Sequence, residues 1–562
     1  HPFCLCVVDC VESYIPARSE GYGLNIPALE KIIAGGAKLL ITVDCGISNE
    51  KEISAVADKI DVIVTDHHLP ALDKITSALT VIDPHQEGCS YSEKNLCGAG
   101  VAFKICQALA NKIESIDIND YTTDIDLAAM ATVADLVPLI GENRKIVRMG
   151  LNAMRMTDCL GLQELLKVAG LEDKKISAGH IAFKIAPRLN SAGRLATAAE
   201  GLKLLLTEDI SIAQELAERL NNFNQERKDI EANMLAEAEE KVFELRRESE
   251  GDLASIVIAH ENWSGGVIGL TASKLVERYN LPTIVLTDDG EFARGSCRSI
   301  PALHMKNALD SMAELFTQYG GHSQAAGLSI KSENIPELRR RFDDYVRKNL
   351  SDEDFLPILN VDAILNPTEL TLADADEFEK FNPCGLGNPK PVLACKNIRG
   401  SSAQVMGKDK NHLSFIIPAN GGMNIRAVAW DKANFAEMVE RENFDLAYEP
   451  EIDEWQDSIR LQCMINYLEP AQGIFPTREV FIEVYKFLKV YRNATDNFEI
   501  CDFTKNFNSA KNKNFSTYTI LSAINIFAEL GFIKFNLDKT FDLPTFNKKI
   551  NLSNSRTFRL GN

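Results

Sequence analysis

No apolar run in the 562 residues approaches the roughly 20 needed for a bilayer span, and no signal peptide is visible. Residue 1 is His rather than Met, so the true N-terminus is expected to lie upstream. Zinc-type cysteine pairs are missing too. Cys4, Cys6 and Cys10 are closely spaced but lack partners at the separations structural zinc uses. Most of the other cysteines sit in apolar segments such as Phe103-Lys-Ile-Cys106 and Leu393-Ala-Cys395. That scatter is the pattern of reduced, buried thiols in a cytoplasmic protein. Repeats and low-complexity tracts are absent. Positive charge is in deficit, with 60 Lys/Arg against 80 Asp/Glu for a net −20. Indiscriminate nucleic-acid binding is thereby disfavoured, while a local basic channel is not. Residues 471–562 run the other way, with 13 Lys/Arg against 8 Asp/Glu. A basic tail on an acidic body suits an anionic partner, and equally suits ordinary variation between domains.

What is present is a globular composition, 45% hydrophobic and 25% charged, long enough for three or four domains of about 150 residues. The first 150 residues alternate short apolar strands with amphipathic helices. Leu39–Val43 and Val62–Thr65 read as buried parallel strands, with Ser48–Lys59 as the crossover helix between them and Ala78–Ile82 as a further strand. Residues 151–206 read as helical with loops. A charged stretch free of Pro and Gly, from about Ile210 to Glu248, suits an extended connecting helix. Strand character returns at Ala254–His260 and opens a second α/β unit that runs to about Leu350. Asn366–Pro470 is β-rich and punctuated by Gly and Pro, as in a small barrel. Residues 474–562 are helical, with Phe532–Leu537 and Thr557–Leu560 as short strands, an outline compatible with a winged helix. The expected class is α/β, with domain limits at 1–205, 206–250, 251–350, 351–470 and 471–562.

Asp66-His67-His68 ends the apolar run Asp61-Val-Ile-Val-Thr65. Upstream lies Leu39-Leu-Ile-Thr-Val-Asp44-Cys-Gly46, and downstream lies Ala131-Thr-Val-Ala-Asp135-Leu-Val-Pro138. In open α/β sheets the binding crevice lies beyond the carboxyl ends of the strands, where Asp44 and the triplet both fall. Asp135 follows the helix-like run Asp126–Ala134, which must carry it into the same crevice. Mixed Asp/His sets suit hard or borderline divalent ions such as Mn²⁺, and a pair of them about 3.5–4 Å apart is a common device for phosphoester hydrolysis. Each acidic residue, taken singly, also suits a helix cap.

Together these segments resemble the DHH/DHHA1 phosphoesterase family, in particular its single-strand-specific exonucleases. Tyr14-Ile-Pro-Ala-Arg18-Ser-Glu-Gly-Tyr-Gly-Leu24 and Ala186-Pro-Arg-Leu-Asn-Ser-Ala-Gly-Arg194 are similar to segments of the family's catalytic core. Asn262-Trp-Ser-Gly-Gly-Val-Ile-Gly-Leu270, Arg294-Gly-Ser-Cys-Arg-Ser299 and Gly320-Gly-His-Ser-Gln-Ala-Ala-Gly327 resemble its DHHA1 domain. Phe381-Asn-Pro-Cys-Gly-Leu-Gly-Asn-Pro389 resembles the entry to an OB-like domain. The resemblance covers about residues 11–470, in the family's order.

The resemblance implies Asp44, His67 and Asp135 as ligands of Mn²⁺ or Mg²⁺, with Asp44 bridging two metals. It places His68 against the scissile phosphate or the metal-bound nucleophile and makes Asp66 the residue that orients the imidazoles. Arg188, Asn190 and Arg194 become backbone-phosphate ligands of DNA. Arg18, Ser296 and Arg298 receive the 5′ end, Gly321 and His322 line the same cleft, and Tyr22 stacks on a base or packs in its loop. Trp263 reads as core first. The implied activity is 5′–3′ hydrolysis of single-stranded DNA to 5′-mononucleotides in recombination and repair. The implied setting is a monomer in the bacterial cytoplasm at the nucleoid, with a single-strand-binding protein and a recombination helicase as protein partners and no membrane. One motif is missing. An Asp-rich loop expected a few dozen residues before Tyr14 is not in the chain, so one half of the two-metal site is expected to be incomplete and the chain's own turnover is left open. A partial reading frame is the simplest account. Two rivals remain: a DHH phosphodiesterase of short oligonucleotides, which the extra C-terminal residues disfavour, and a non-catalytic DNA-binding scaffold, which the retained acidic and imidazole residues disfavour.

Overall fold

The computed structural model describes residues 11–16, 20, 23–70, 77–113, 124–195, 197–249, 252–408, 410–419, 424–455, 458–471, 473–495, 498–536, 540–544 and 550–561. Arg18, Tyr22, Cys4, Cys6 and Cys10 lie outside these residues, so the expectations placed on them are not addressed. The chain divides into two compact units. The first is residues 1–228 with 381–390, and the second is 229–380 with 391–562.

In the first unit, helix α1 (Ile26–Ala34) leads into strand β1 (Leu39–Ile41), the short helix α2 (Glu50–Ser54), β2 (Asp61–Thr65) and β3 (Thr80–Ile82). The three strands are parallel in the order β1-β2-β3, with Leu40 opposite Val62 and Val64 opposite Val81. The crossover helix is shorter than its apolar spacing suggests, because after Ala55 the chain tightens to an i→i−3 bond, Val56 N on Ile53 O. Leu29, Ile53, Val56, Ile60, Val62 and Val64 form a small core against this sheet. Leu39, Ile41 and Val43, at alternate positions, remain exposed.

A second core is helical. It gathers α3 (Gly98–Ala110), α4 (Ile125–Ala134), α5 (Gly141–Ala153) and the helices out to residue 220. α4 is buried on nearly every side, from Ile125 and Ala129 to Val133, as expected of a helix apolar all round. It touches α5 through Gly150, where an added Cβ would come within 2.3 Å of Ala129 Cβ and 2.4 Å of Ile125 O. α6 (Ala186–Leu195) precedes a 39-residue helix, α7 (Ile210–Glu248).

In the second unit, β4 (Ile256–His260), α8 (Ile268–Tyr279), β5 (Thr283–Asp288), β6 (Phe292–Arg298), β7 (Phe316–Gly321) and β8 (Ala325–Lys331) make a five-stranded sheet in the order β4-β5-β6-β8-β7. Only the β4–β5 pair is parallel. Trp263 is core, 3% exposed, with its indole N–H on Glu237. Seven further strands follow in the spatial order Ser401–Met406, His412–Ile417, Ile425–Ala429, Ser458–Pro470, Phe444–Trp455, Leu393–Ile398 and Ala363–Ile364. Their core runs without a break into helices Arg478–Ala494, Ile500–Lys511 and Thr517–Glu529, joining Phe415 and Phe444 to Phe481, Phe503 and Phe527.

A second element differs from its sequence reading. Thr557–Leu560 is not a strand but part of the helix Arg556–Gly561. The Glu529 carboxylate accepts from Ser555 Oγ, Thr557 N and Thr557 Oγ1, and Ser555 Oγ accepts from Phe558 N. These side chains satisfy the free N–H groups of a first helical turn, and that local capping overrides the β-propensity of Thr and Phe. The short hairpin is instead Lys534–Phe535 with Phe541–Asp542.

The α4–α5 contact offers a direct test. Gly150→Ala must separate the two helices, and it should lower unfolding stability by about 1–3 kcal/mol. Chemical denaturation followed at the first unit's transition would measure the loss, and an unchanged midpoint would contradict the packing.

Candidate metal centre and nucleic-acid contacts

The parallel register places the loops after β1 and β2 side by side. Thr42 N bonds Ile63 O, Thr65 N bonds Thr42 O, and Asp66 N bonds Ile82 O. Asp44 sits at φ +64 and Gly46 at φ +116. This sharp turn aims the Asp44 carboxylate back across the strand ends, and left-handed backbone at a non-Gly residue is strain of the kind concentrated at functional sites. At Gly98 the first turn of α3 meets that side chain so closely that a Cβ there would lie 2.5 Å from Asp44 Oδ1. The carboxylate therefore rests on the positive end of a helix dipole.

Asp66 is buried, and its two oxygens hold the neighbouring loops together. Oδ2 accepts from Ile47 N (3.0 Å), while Oδ1 accepts from His67 N (2.7 Å), His68 N (3.3 Å) and the His68 ring at Nδ1 (2.7 Å). Burial pushes the Asp66 carboxyl up, but these donors outweigh it and hold the group below the usual Asp range. Asp66 thus fixes the ring of His68, whereas His67 is held through its backbone. His85 Nδ1 contributes a further bond to His67 O (2.9 Å), and His85 N bonds Asp83 Oδ1 (2.7 Å).

The His67 imidazole faces two carboxylates. Nε2 lies 3.0 Å from Asp44 Oδ1 and 3.5 Å from Asp135 Oδ2, yet this buried nitrogen has no hydrogen-bond partner of acceptable geometry among the described residues. Burial pulls the His67 ring down, but Asp44, Asp135 and Asp66 outweigh it and raise it above the ordinary histidine value. Asp135 is raised mainly by burial, with Asp44 adding to the effect. Ligand atoms of Asp44, His67 and His68 lie within 4.8 Å of one another. Carboxylates crowding a buried, unbonded imidazole are relieved by a cation, and O/N donors of this kind fit Mn²⁺ or Mg²⁺. Cys45, pushed up to about 11 by burial and by Asp66 and Asp44, stays a neutral thiol and does not compete.

Sequence reading missed two contributors. Gly98 must be glycine for Asp44 to lie on α3, and its signal was the Cys97-Gly98-Ala99-Gly100 run ahead of an apolar helix. Asp83 and His85 brace the histidine loop from the end of β3, in the segment Asp83-Pro84-His85.

The DNA candidates divide by unit. In the first, Arg188 turns onto the protein, with Nε to Asn221 Oδ1 (3.1 Å) and Nη1 to Lys184 O (2.7 Å). Asn190 is exposed and Arg194 half-buried, and the three do not share one face of α6. In the second unit, Arg298 Nη1 bonds Ser296 Oγ (3.1 Å) and its Nε bonds Ser273 Oγ (3.2 Å) on α8. The β-ladder sets Ser296 opposite Gly327 and Arg298 opposite Ala325, and it sets Gly320 opposite Gly327. His322 N bonds Ala325 O (2.8 Å), while Gly321, at φ +147, is too close to Ala326 for any Cβ. Ser296, Arg298, Gly321 and His322 are therefore gathered on neighbouring strands beside a floor of bare glycines.

A parallel sheet whose strand ends present Asp, Asp-His-His and a helix-borne Asp defines a DHH-type phosphoesterase domain. Residues 6–134 match the DHH family N-terminal domain, 252–348 the DHHA1 domain and 361–467 the RecJ OB domain. The chain is 36% identical to the single-stranded-DNA-specific exonuclease RecJ of Bacillus subtilis over 81% of its own length and 57% of that protein's. It is 34% identical to the RecJ of Haemophilus influenzae over 82% of each chain. The crystal structure of Thermus thermophilus RecJ with Mn²⁺ superposes with a TM-score of 0.68 at 26% identity, covering 82% of this chain and 68% of that one. Its complex with Mg²⁺ gives 0.61 at 25%, covering 83% and 73%. The chain belongs to the RecJ family.

A proton on His67 would compete with a metal for the same nitrogen. Because His67 is raised, Mn²⁺ affinity should climb with pH through that elevated value and level off above it. Calorimetric titration at about pH 6 and about pH 8 should show weaker binding at the lower pH, with proton release on binding. Equal affinity at both would remove His67 from the ligand set.

Proposed function

We propose that this protein is a Mn²⁺- or Mg²⁺-dependent exonuclease that degrades single-stranded DNA from its 5′ end and releases 5′-mononucleotides. The observation that carries the reading is the unbonded, buried His67 Nε2 between Asp44 and Asp135. Asp44, His67 and Asp135 would hold the ion. Bound there, a divalent ion supplies Lewis-acid charge to a phosphoryl oxygen and makes water more acidic. The protein's own part is positioning. Asp66 keeps the His68 ring in one orientation through Nδ1, and His68 would contact the scissile phosphate or the metal-bound nucleophile. Asp44 is held on α3 and Asp135 at the end of α4, so neither has to be ordered when substrate arrives.

Recognition of a 5′ end is supported by Arg298 and Ser296. Arg298 is a guanidinium anchored by Ser273, beside glycines that admit a backbone closely. Arg188, Asn190 and Arg194 would contact the DNA backbone from the first unit. The expectation of a single-strand-binding protein and a recombination helicase as partners, and of a nucleoid location, rests on the family likeness. Among the described residues no helix is long and apolar enough to cross a membrane.

The test is strand polarity in Mn²⁺. Single-stranded DNA labelled at the 5′ end should yield labelled mononucleotide at once, whereas a 3′ label should appear as mononucleotide only at the end of digestion. Asp44→Asn should cut the rate by at least about 100-fold, consistent with losing a charge used in the transition state. Mononucleotide release from the 3′ end first, or undiminished release by Asp44→Asn, would overturn the assignment.

A further inference from the structure

The first unit contains a segment from far along the sequence, residues 381–390. Its contacts fall on the stretch that follows Asp135. Leu139 N donates to Leu386 O at 2.7 Å. Gly385 lies where a Cβ would come within 2.7 Å of Leu139 Cδ1, and Gly387, at φ +72, where a Cβ would come within 3.0 Å of Pro138 Cβ. Two arginines of α5 hold the segment's start, Arg144 Nη2 to Phe381 O (3.0 Å) and Arg148 Nη2 to Asn382 O (2.9 Å). The segment is closed on itself. Asn388 Nδ2 bonds Phe381 O and Pro383 O, and Gly385 and Asn388 exchange backbone hydrogen bonds.

Asp135 needs such support. It is the C-cap of α4, directly before Leu136 turns left-handed at φ +56, and the Leu136 side chain is exposed. From the other side, Asn143 Nδ2 ties Pro138 O (3.1 Å) to Asn95 O (2.6 Å). The turn that aims Asp135 is therefore gripped between the start of α5 and the 381–390 segment.

We propose that Phe381–Lys390 is a clasp that positions Asp135 for metal binding, with Gly385, Gly387, Arg144 and Arg148 as its positioning residues. Residues that orient a metal ligand typically change affinity by about 10–100-fold when altered. The inference rests on Asp135 being a metal ligand.

The experiment measures Mn²⁺ dissociation by electron paramagnetic resonance of free Mn²⁺ on the whole chain, with thermal unfolding run beside it. Gly387→Ala and Arg148→Ala should weaken Mn²⁺ binding by about 10–100-fold without moving the unfolding temperature of the metal-free protein. Leu386→Ala, whose side chain is exposed, should bind as the parent does. Arg144→Ala and Arg148→Ala carry the test if the glycine variant does not fold. Parent-like Mn²⁺ affinity in the folded clasp variants would overturn the clasp, provided that Asp135→Asn binds weakly. Parent-like affinity in Asp135→Asn would instead overturn the metal-ligand reading on which the clasp rests.

Discussion

The first unit's chemistry depends on one buried carboxylate, that of Asp66. Its four donors come from two different loops, Ile47 after β1 and His67 and His68 after β2. A charge taken out of water is tolerable only when its lone pairs are filled. Satisfying Asp66 therefore forces the two loops into one arrangement. With the loops so locked, the Asp44 carboxylate and the His67 ring have little choice but to face each other. The direction of the Asp66 shift follows. Its low protonation tendency contributes stability above the ordinary Asp range, and that stability is lost as pH falls through the depressed folded value.

Around this staple the strain is distributed rather than concentrated. Asp44 and Leu136 both adopt left-handed backbone, each a cost of order 1 kcal/mol or more that persists only where surrounding structure over-determines it. For Asp44 the surroundings are Gly46 and the first turn of α3 at Gly98. For Leu136 they are α4, Asn143 and residues 381–390. The result is a pair of carboxylates facing an unbonded imidazole nitrogen, an arrangement suited to a divalent ion. Metal bound at this site would link binding energy to folding energy.

Much of this was legible in the sequence. The strands survive as Leu39–Ile41, Asp61–Thr65 and Thr80–Ile82, because short apolar runs ending in polar turns read the same in either setting. Asp44, His67 and Asp135 converge because parallel strands send their C-terminal loops to one edge and α4 ends beside them. The β6–β8 register could not be read from spacing, yet it is what sets Arg298 near His322. Arg188 is a residue type that can serve either a phosphate or its own protein, and its bonds to Asn221 and Lys184 depend on the tertiary fold. Gly98 and the Asp83–His85 brace act through close approach and backbone carbonyls, which leave little trace in residue type. The grip of residues 381–390 on Leu139, separated from it by more than two hundred positions, has no local signal at all.

The role of Asp44, His67 and Asp135 turns on where a metal binds. Crystals of the chain equilibrated with Mn²⁺, with anomalous diffraction recorded at the manganese edge, would locate it directly. The expected map has a peak bonded to Asp44, His67 Nε2 and Asp135 together, with His68 Nδ1 still on Asp66. A peak elsewhere, or one that leaves His67 Nε2 unligated, would contradict the assignment of this site.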